Sequence, residues 1–549
     1  MNSGAGSSAG RAAAPASASA GLVLLTLASG QFLMALDSSV MNVSIATVAD
    51  DVGTTVTGIQ GAITAYTLVM AMFMIPGGKA GGLIGRKRAL MIGCCIYGAG
   101  SLTTALAPNL TVLLLGWSLL EGLGAALILP SIVALVASNF TTERRPAAYG
   151  LVAAAGAIAI GIGPLVGGIA TTYFSWRWVF AGEVVIVLAI LVLCRRIADA
   201  ELGPRPRIDL LGALLSALGL GLFVYGVLRT DEWGWFRPKA EAPAWLGISL
   251  VCWLMLAGLL LVWLFLRWEA RLVARGREPL LDPAMLGNRQ LTGGLTMFFF
   301  QYLVMMGVFF VVPLYLSVAL GLSAIETGVR ITPLSLTLLA AAVLIPRFLP
   351  DISPRRVVRL GLLALLIGAV ALMAALDLGA GPEIVTVPLL FIGLGMGALA
   401  SQLGSVTVSA VPDEQSTEVG GVQNAITNLG ASVGTALAGS IMIAALTSSF
   451  LTAVERNPAV PAEVKSQATV QLQSGVPFLS DAELTEALEA AGTSEEVTRA
   501  ALDANAEARL DGLRAALAIL ALATVVALFF LQRIPATQPH STRSTRSTT

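Results

Sequence analysis

The stretch PAAYGLVAAAGAIAIGIGPLVGGIATTY, residues 146–173, is small or apolar at nearly every position and carries no charge. About 20 such residues are enough to cross a bilayer as a helix. Its centre is GIGPLVGG, residues 161–168. Gly163 and Gly167 are four apart and share one helix face, with Pro164 and Gly168 beside them. A small-xxx-small face lets two helix backbones approach closely in lipid. A proline inside the helix frees a carbonyl and bends the rod. Such a helix serves a moving gate, and it serves an ordinary membrane bundle equally well.

The rest of the chain repeats this character. Of 549 residues, 56% are hydrophobic and 12% charged, and the mean hydropathy is +0.82. A soluble domain carries about twice that charged fraction. Lys and Arg balance Asp and Glu at 33 each, which leaves no polybasic surface and excludes nucleic acid as a partner. The four cysteines, Cys94, Cys95, Cys194 and Cys252, all lie in apolar runs and read as small core residues. The only histidine, His540, falls in the C-terminal tail, so zinc and His-based catalysis have almost no material. No metal site is expected.

Apolar runs at 21–49, 59–77, 89–107, 110–138, 146–173, 176–194, 208–228, 244–266, 291–320, 327–349, 357–377, 384–411, 419–447 and 512–532 predict about fourteen spans. The fold class is therefore an all-α integral membrane protein, with two six-helix pseudo-repeat bundles and two extra helices between them. The expected divisions are a disordered tail over 1–20, an N-terminal bundle over 21–197 and a linker pair over 198–268. Helices nine to thirteen follow over 269–449, a polar outer loop over 450–511, the last helix over 512–532 and a tail over 533–549. Within the long loop, Ser480 with Glu483 and Thr493 with Glu496 have capping-box spacing, which predicts two short helices, the second leading into the last span. The loop reads as a cap over the outer mouth or as a solvated connector. A cleaved leader is not expected.

With a cytoplasmic N-terminus, nineteen Lys and Arg fall in inside loops and only Arg177, Arg229, Arg237 and Lys239 in short outside ones. This bias places both termini in the cytoplasm. The inside loop PDEQSTE, residues 412–418, is acidic and breaks the pattern. GKAGGLIGRKRAL (78–90) and PRFLPDISPRRVVRL (346–360) each follow the second span of a half and set basic clusters at hairpins, as an internal duplication would. Facing repeats around a midplane site are a transporter design. Trp176, Trp178, Trp233 and Trp235 read as interfacial anchors.

Charges inside the apolar runs carry the chemistry. A carboxylate in lipid costs at least about 2.5 kcal/mol, so it faces the interior or water. Asp37 lies in LDSSVMNVSI and Glu121 in WSLLEGLGAA, both deep in their spans. Glu183 lies about six residues into its span and reads as an accessory acid or as a side chain reaching the interface. A carboxyl in a closing cavity can load and release a proton or neutralise a cationic substrate. If the two compete, exchange follows. This drive needs no cofactor beyond a proton gradient, and no Gly-rich loop ending in Gly-Lys-Ser or Gly-Lys-Thr is present. Gln301, Tyr302, Met305 and Met306 lie in a span rich in aromatics and Met, which forms a cavity wall or packs on lipid.

These motifs together resemble the major facilitator superfamily, in its fourteen-span drug:proton antiporter branch. GIGPLVGG resembles the antiporter signature of the fifth helix, and LDSSVMNVSI the acidic motif of the first. SWRWVF (175–180) resembles the entry to helix six, and GGVQNAITNLGASVGTALAGS (420–440) helix thirteen. Gly78, Gly85, Arg86 and Lys87 match the family's cytoplasmic gate loop. The likeness implies proton-driven export by alternating access in a bacterial inner (plasma) membrane, with Asp37 in a coupling or substrate role. It implies no enzyme activity, and a monomer is expected. The chain departs from the pattern at Gly82 and Leu83, where Asp and Arg usually help latch the gate. It departs at Ser118, where an Arg usually serves proton transfer, at Glu121, where Gln is usual, and at Glu183, where Asn is common. Loss of the Arg and gain of Glu121 point to Asp37 and Glu121 as a protonatable pair. Asp351 with Arg355 and Arg356 is a second expected gate contact. Alternatives are export of an endogenous metabolite or lipid, and a non-transporting scaffold or receptor.

Overall fold

A computed structural model describes residues 17–54, 56–197, 209–239, 242–377, 379–456, 481–490 and 495–538. In lipid the backbone must satisfy its own polar groups, so each apolar run closes into a helix. Among the described residues, fourteen long helices follow in order. They are α1 (Ser17–Asp51), α2 (Val56–Ile84), α3 (Arg86–Ala105), α4 (Leu110–Asn139), α5 (Arg145–Tyr173), α6 (Arg177–Cys194) and α7 (Leu210–Leu228). Then come α8 (Leu250–Ala274), α9 (Arg289–Ala319), α10 (Ala324–Phe348), α11 (Pro354–Ala375), α12 (Thr386–Val408), α13 (Ser416–Arg456) and α14 (Glu495–Phe529). Thirteen are apolar and long enough to cross a membrane. The exception is α3, which begins with Arg86, Lys87 and Arg88 and carries Ser101, Thr103 and Thr104.

Helix starts are marked by side-chain caps. Asn109, Asp209, Ser249, Asn288, Ser323 and Ser353 each accept a hydrogen bond from a first-turn amide. Such caps replace partners that the first helical N–H groups lack. Ser323 and Glu326 complete a reciprocal capping box.

Several boundaries differ from the sequence reading. The first helix begins at Ser17, inside the expected tail. α2 continues to Ile84, so the hairpin narrows to Gly85, whose φ of 101° suits glycine. The polar flanks of the last two spans stay helical: α13 runs on to Arg456, and α14 starts at Glu495. A short helix at Asp481–Ala490 also falls in the long loop, where the first of two was expected. The second is continuous with α14. Ser480 and Thr493 lie outside the described residues.

The pairing of helices repeats with an offset of eight. In the first half α1 packs on α5, α2 and α3 on α4, and α3 on α6. In the second half α9 packs on α13, α10 and α11 on α12, and α11 on α14. The halves meet where α5 packs on α10 and α12, and where α2 and α4 pack on α13. The pair α7–α8 packs on itself and docks through α7 onto α2. A buried core lies in each half, one around Tyr97 and Trp117, the other around Leu362 and Leu389.

Candidate functional site

The site is built where α3 and α4 come closest. α4 is not a uniform helix: residues Leu114–Glu121 form a π-helical segment. Such wide turns recur at functional sites. A methyl added at Gly100 would stand 2.6 Å from Glu121 Cγ and 2.7 Å from the Gly116 carbonyl. Only glycine lets these backbones meet, and the Glu121 side chain lies across that contact.

Asp37, Glu121 and Glu183 each bring a carboxylate oxygen within 4.8 Å of the other two. Asp37 comes from α1, Glu121 from α4 and Glu183 from α6. The first two are wholly buried, and Glu183 is 1% exposed. Trp117 Nε1 donates to Asp37 Oδ1 at 2.8 Å. The Trp117 ring stacks on Tyr66 of α2, 5.2 Å between centroids and 5° apart in plane. Thr104 donates to Glu121 Oε1 at 3.2 Å or to the Gly100 carbonyl at 2.9 Å. Ser101 and Tyr97 donate to Glu183 Oε2 at 3.1 and 3.3 Å.

Each acid thus has one oxygen held by neutral donors. The second oxygens, Asp37 Oδ2, Glu121 Oε2 and Glu183 Oε1, accept no hydrogen bond. Among the described residues, no Lys or Arg pairs with any of the three. Three buried carboxylates without a counter-ion must share protons or recruit a cation, because an uncompensated buried charge is too costly. The fixed oxygens hold the side chains in place and leave three free ones for that task.

The structure brings Asp37 and Glu121 together, as helices one and four were expected to do. Glu183 joins them as the third acid, so its position near the helix start does not carry it to the membrane interface. The sequence reading did not single out Tyr66, Tyr97, Ser101, Thr104 or Trp117. A signal existed for α3: Tyr97, Ser101 and Thr104 are spaced four and three apart on one face.

The GIGPLVGG face packs on α1 close to Asp37. A methyl at Gly163 would collide with the Ser39 side chain, and one at Gly167 would stand 3.2 Å from Val40 Cγ1. Ser39 Oγ donates to the Ile160 carbonyl at 3.0 Å. On the other side, a methyl at Gly161 would meet Ser335 Oγ of α10 at 2.6 Å. Gly168 is half-buried, and the side chain of Pro164 lies outside the described residues. The stretch is therefore sandwiched between a site helix and the opposite half.

Gln301 and Met305 do not form an open wall. Both are buried in the second half, and Gln301 Nε2 donates to the Met396 carbonyl at 3.2 Å, tying α9 to α12. Tyr302 and Met306 are half-buried against the same core.

At the basic end, Lys79 Nζ of α2 lies 2.6 Å from Glu418 Oε1 of α13. A methyl at neighbouring Gly78 would stand 2.7 Å from the Thr417 carbonyl. Arg86 is buried, and Lys87 donates to the Arg195 and Ile197 carbonyls at the end of α6. Beside Lys79 and Glu418 a cleft of about 300 Å³ is lined also by Arg277, Glu278 and Asp282. Arg355 does not serve as the second-half gate contact: its guanidinium donates to the Ile534 and Gln532 carbonyls beyond α14. Trp176 is also not an interfacial anchor. It is buried and donates to Asp51 Oδ2 at 2.8 Å, because α6 starts against the end of α1.

Comparison with known proteins places this architecture. The model of the Major Facilitator Superfamily matches residues 27–435. The puromycin resistance protein pur8 of Streptomyces alboniger is 30% identical over 443 residues, 79% of this chain and 84% of that one. The probable actinorhodin transporter of Streptomyces coelicolor is 29% identical over 433 residues, 76% and 72% of the two chains. Among solved structures, the human organic anion transporter MFSD10 (TETRAN) superposes with a TM-score of 0.56 at 13% identity, over 93% of this chain and 98% of that one. It shares the fold.

Proposed function

The chain belongs to the major facilitator superfamily, a family of multi-pass membrane transporters, and from this we propose that it is a proton-driven exporter of lipophilic compounds, cations among them. The carrying observation is the cluster of Asp37, Glu121 and Glu183, buried and without a basic partner. In this reading the basic end faces the cytoplasm, as the positive-inside bias requires. The two halves rock about the acid cluster, which takes protons from one side and exchanges them for substrate from the other. Asp37 and Glu121 carry the exchange, and Glu183 extends it. The α5 glycines hold α1 against α5 while α5 moves against α10.

A susceptibility and dye-efflux panel, with and without the gene, tests the reading. Efflux of lipophilic dyes that stops with a proton uncoupler supports it. Efflux that persists removes proton drive. A second substrate reading is export of an endogenous product, supported by similarity to the probable actinorhodin transporter and to the tetracenomycin C resistance and export protein of Streptomyces glaucescens. Loss of a secreted metabolite on gene deletion, with unchanged dye susceptibility, would favour it.

A further inference from the structure

α5 and α6 both pack on α1, and between them a groove of about 380 Å³ opens on the outside of the bundle. It lies toward the end opposite the basic loops, where α5 ends at Tyr173 and α6 begins at Arg177. Its walls are apolar, from Leu36 of α1, Ala170 and Phe174 beside α5, and Trp178 of α6. Phe174 and Trp178 are 73% and 68% exposed at its mouth. Gly182 forms part of the floor, and a methyl built there meets nothing within 4 Å.

Among the described residues, the one charged side chain that lines this groove is Glu183. The same Glu183 stands within 4.8 Å of Asp37 and Glu121, and its Oε1 has no hydrogen-bond partner. Glu183 is thus the shared wall between an apolar groove facing lipid and the buried acid cluster. A groove made only for an acyl chain has no use for a lining residue whose carboxylate, just behind the wall on the cluster side, is only half-partnered. An apolar body with a positive centre matches both parts: burial of its surface supplies affinity, and the carboxylate supplies charge complementarity.

We propose that this groove is a lateral binding site for lipophilic monocations, with the apolar body between α5 and α6 and the cation against Glu183. In this reading a cation would reach Glu183 from the bilayer side of α5 and α6, without passing through the space between the two halves. As a substrate route the groove rests on the exporter reading above; as a binding site it does not.

The test is binding to the purified full chain in nanodiscs of neutral lipid, against empty nanodiscs. The probes are trimethylammonium-diphenylhexatriene and its uncharged parent diphenylhexatriene. The wild type should bind the cation saturably and the parent weakly. Glu183→Gln should weaken the cation by about tenfold, equivalent to about 1.4 kcal/mol, and leave the parent unchanged. Gly182→Trp, which fills open space and leaves Glu183 intact, should abolish saturable binding of the cation. Equal binding of the two probes by wild type, or unaltered cation affinity in either variant, overturns the proposal. Uncoupler-sensitive efflux in Gly182→Trp, which leaves the three acids intact, separates the two readings: lost groove binding with intact efflux leaves the coupling account standing, and intact groove binding in the wild type with uncoupler-insensitive efflux does the reverse.

Discussion

Lys79 of α2 and Glu418 of α13, 339 residues apart in the chain, meet at 2.6 Å across the junction of the two halves. Both side chains are largely buried. The pair stands where the sequence lacks an acid, because Gly82 replaces the Asp that the family resemblance leads one to expect. Glu418 supplies that charge from the other half, inside the acidic loop that breaks the basic pattern.

Breaking this pair is expected to loosen the basic end. Removing one partner of a buried ion pair leaves an uncompensated charge and costs up to about 3–5 kcal/mol; the residual exposure reduces that here. Lys79→Met and Glu418→Gln should each raise the population open at the basic end by about tenfold or more. Spin-label distances between α2 and α13 report it. The exchange Lys79→Glu with Glu418→Lys should restore the closed distance. Unchanged distances in both single variants would remove the latch.

Close packing of α5 on α1 gives a second expectation. Gly163→Ala sets a methyl against the Ser39 side chain. Overpacking of this kind costs about 1–3 kcal/mol. The purified variant should melt earlier and transport more slowly, and adding Ser39→Gly should recover both. Failure of the second change to rescue would show that Gly163 is needed for something other than room.

The donors around the acids are unequal. Trp117→Phe removes the 2.8 Å hydrogen bond to Asp37 Oδ1, and an unsatisfied buried acceptor costs about 1–3 kcal/mol. Tyr97→Phe should cost less, since Ser101 still donates to Glu183 Oε2. Thermal unfolding in detergent ranks them. A larger loss for Tyr97→Phe would contradict the geometry described for the cluster.

Much of this was readable before any coordinates. The bilayer demands about 20 apolar residues per crossing, so the spans show plainly, and Asp37 and Glu121 stand out as charges that such spans reject. Even α3, the most polar of the fourteen, showed as the apolar run 89–107. Glu183 was harder, because its depth from Arg177 suggested the interface, while the helix face it occupies depends on how α6 packs on α3. Among the donors, Tyr97, Ser101 and Thr104 share one face of α3 but gain meaning, like Trp117, from the acids they touch. Lys79 and Glu418 could not be paired from spacing, although the acidic PDEQSTE loop marked one of them. The helical extension to Arg456 was missed because polar residues end a span without ending a helix, whereas the helix leading into the last span from about Glu495 was marked by the spacing of Thr493 and Glu496.

Asp37 and Glu121 are decided by proton movement in liposomes carrying the purified chain and an internal pH dye. A lipophilic cationic dye that the wild type exports is added, and the proton flux it drives is recorded beside dye binding. In Asp37→Asn and in Glu121→Gln the dye-driven proton flux should fall to the level of empty liposomes, while the folded variants keep their wild-type melting profile. Undiminished dye-driven proton flux in both variants would contradict the assignment of coupling to these acids.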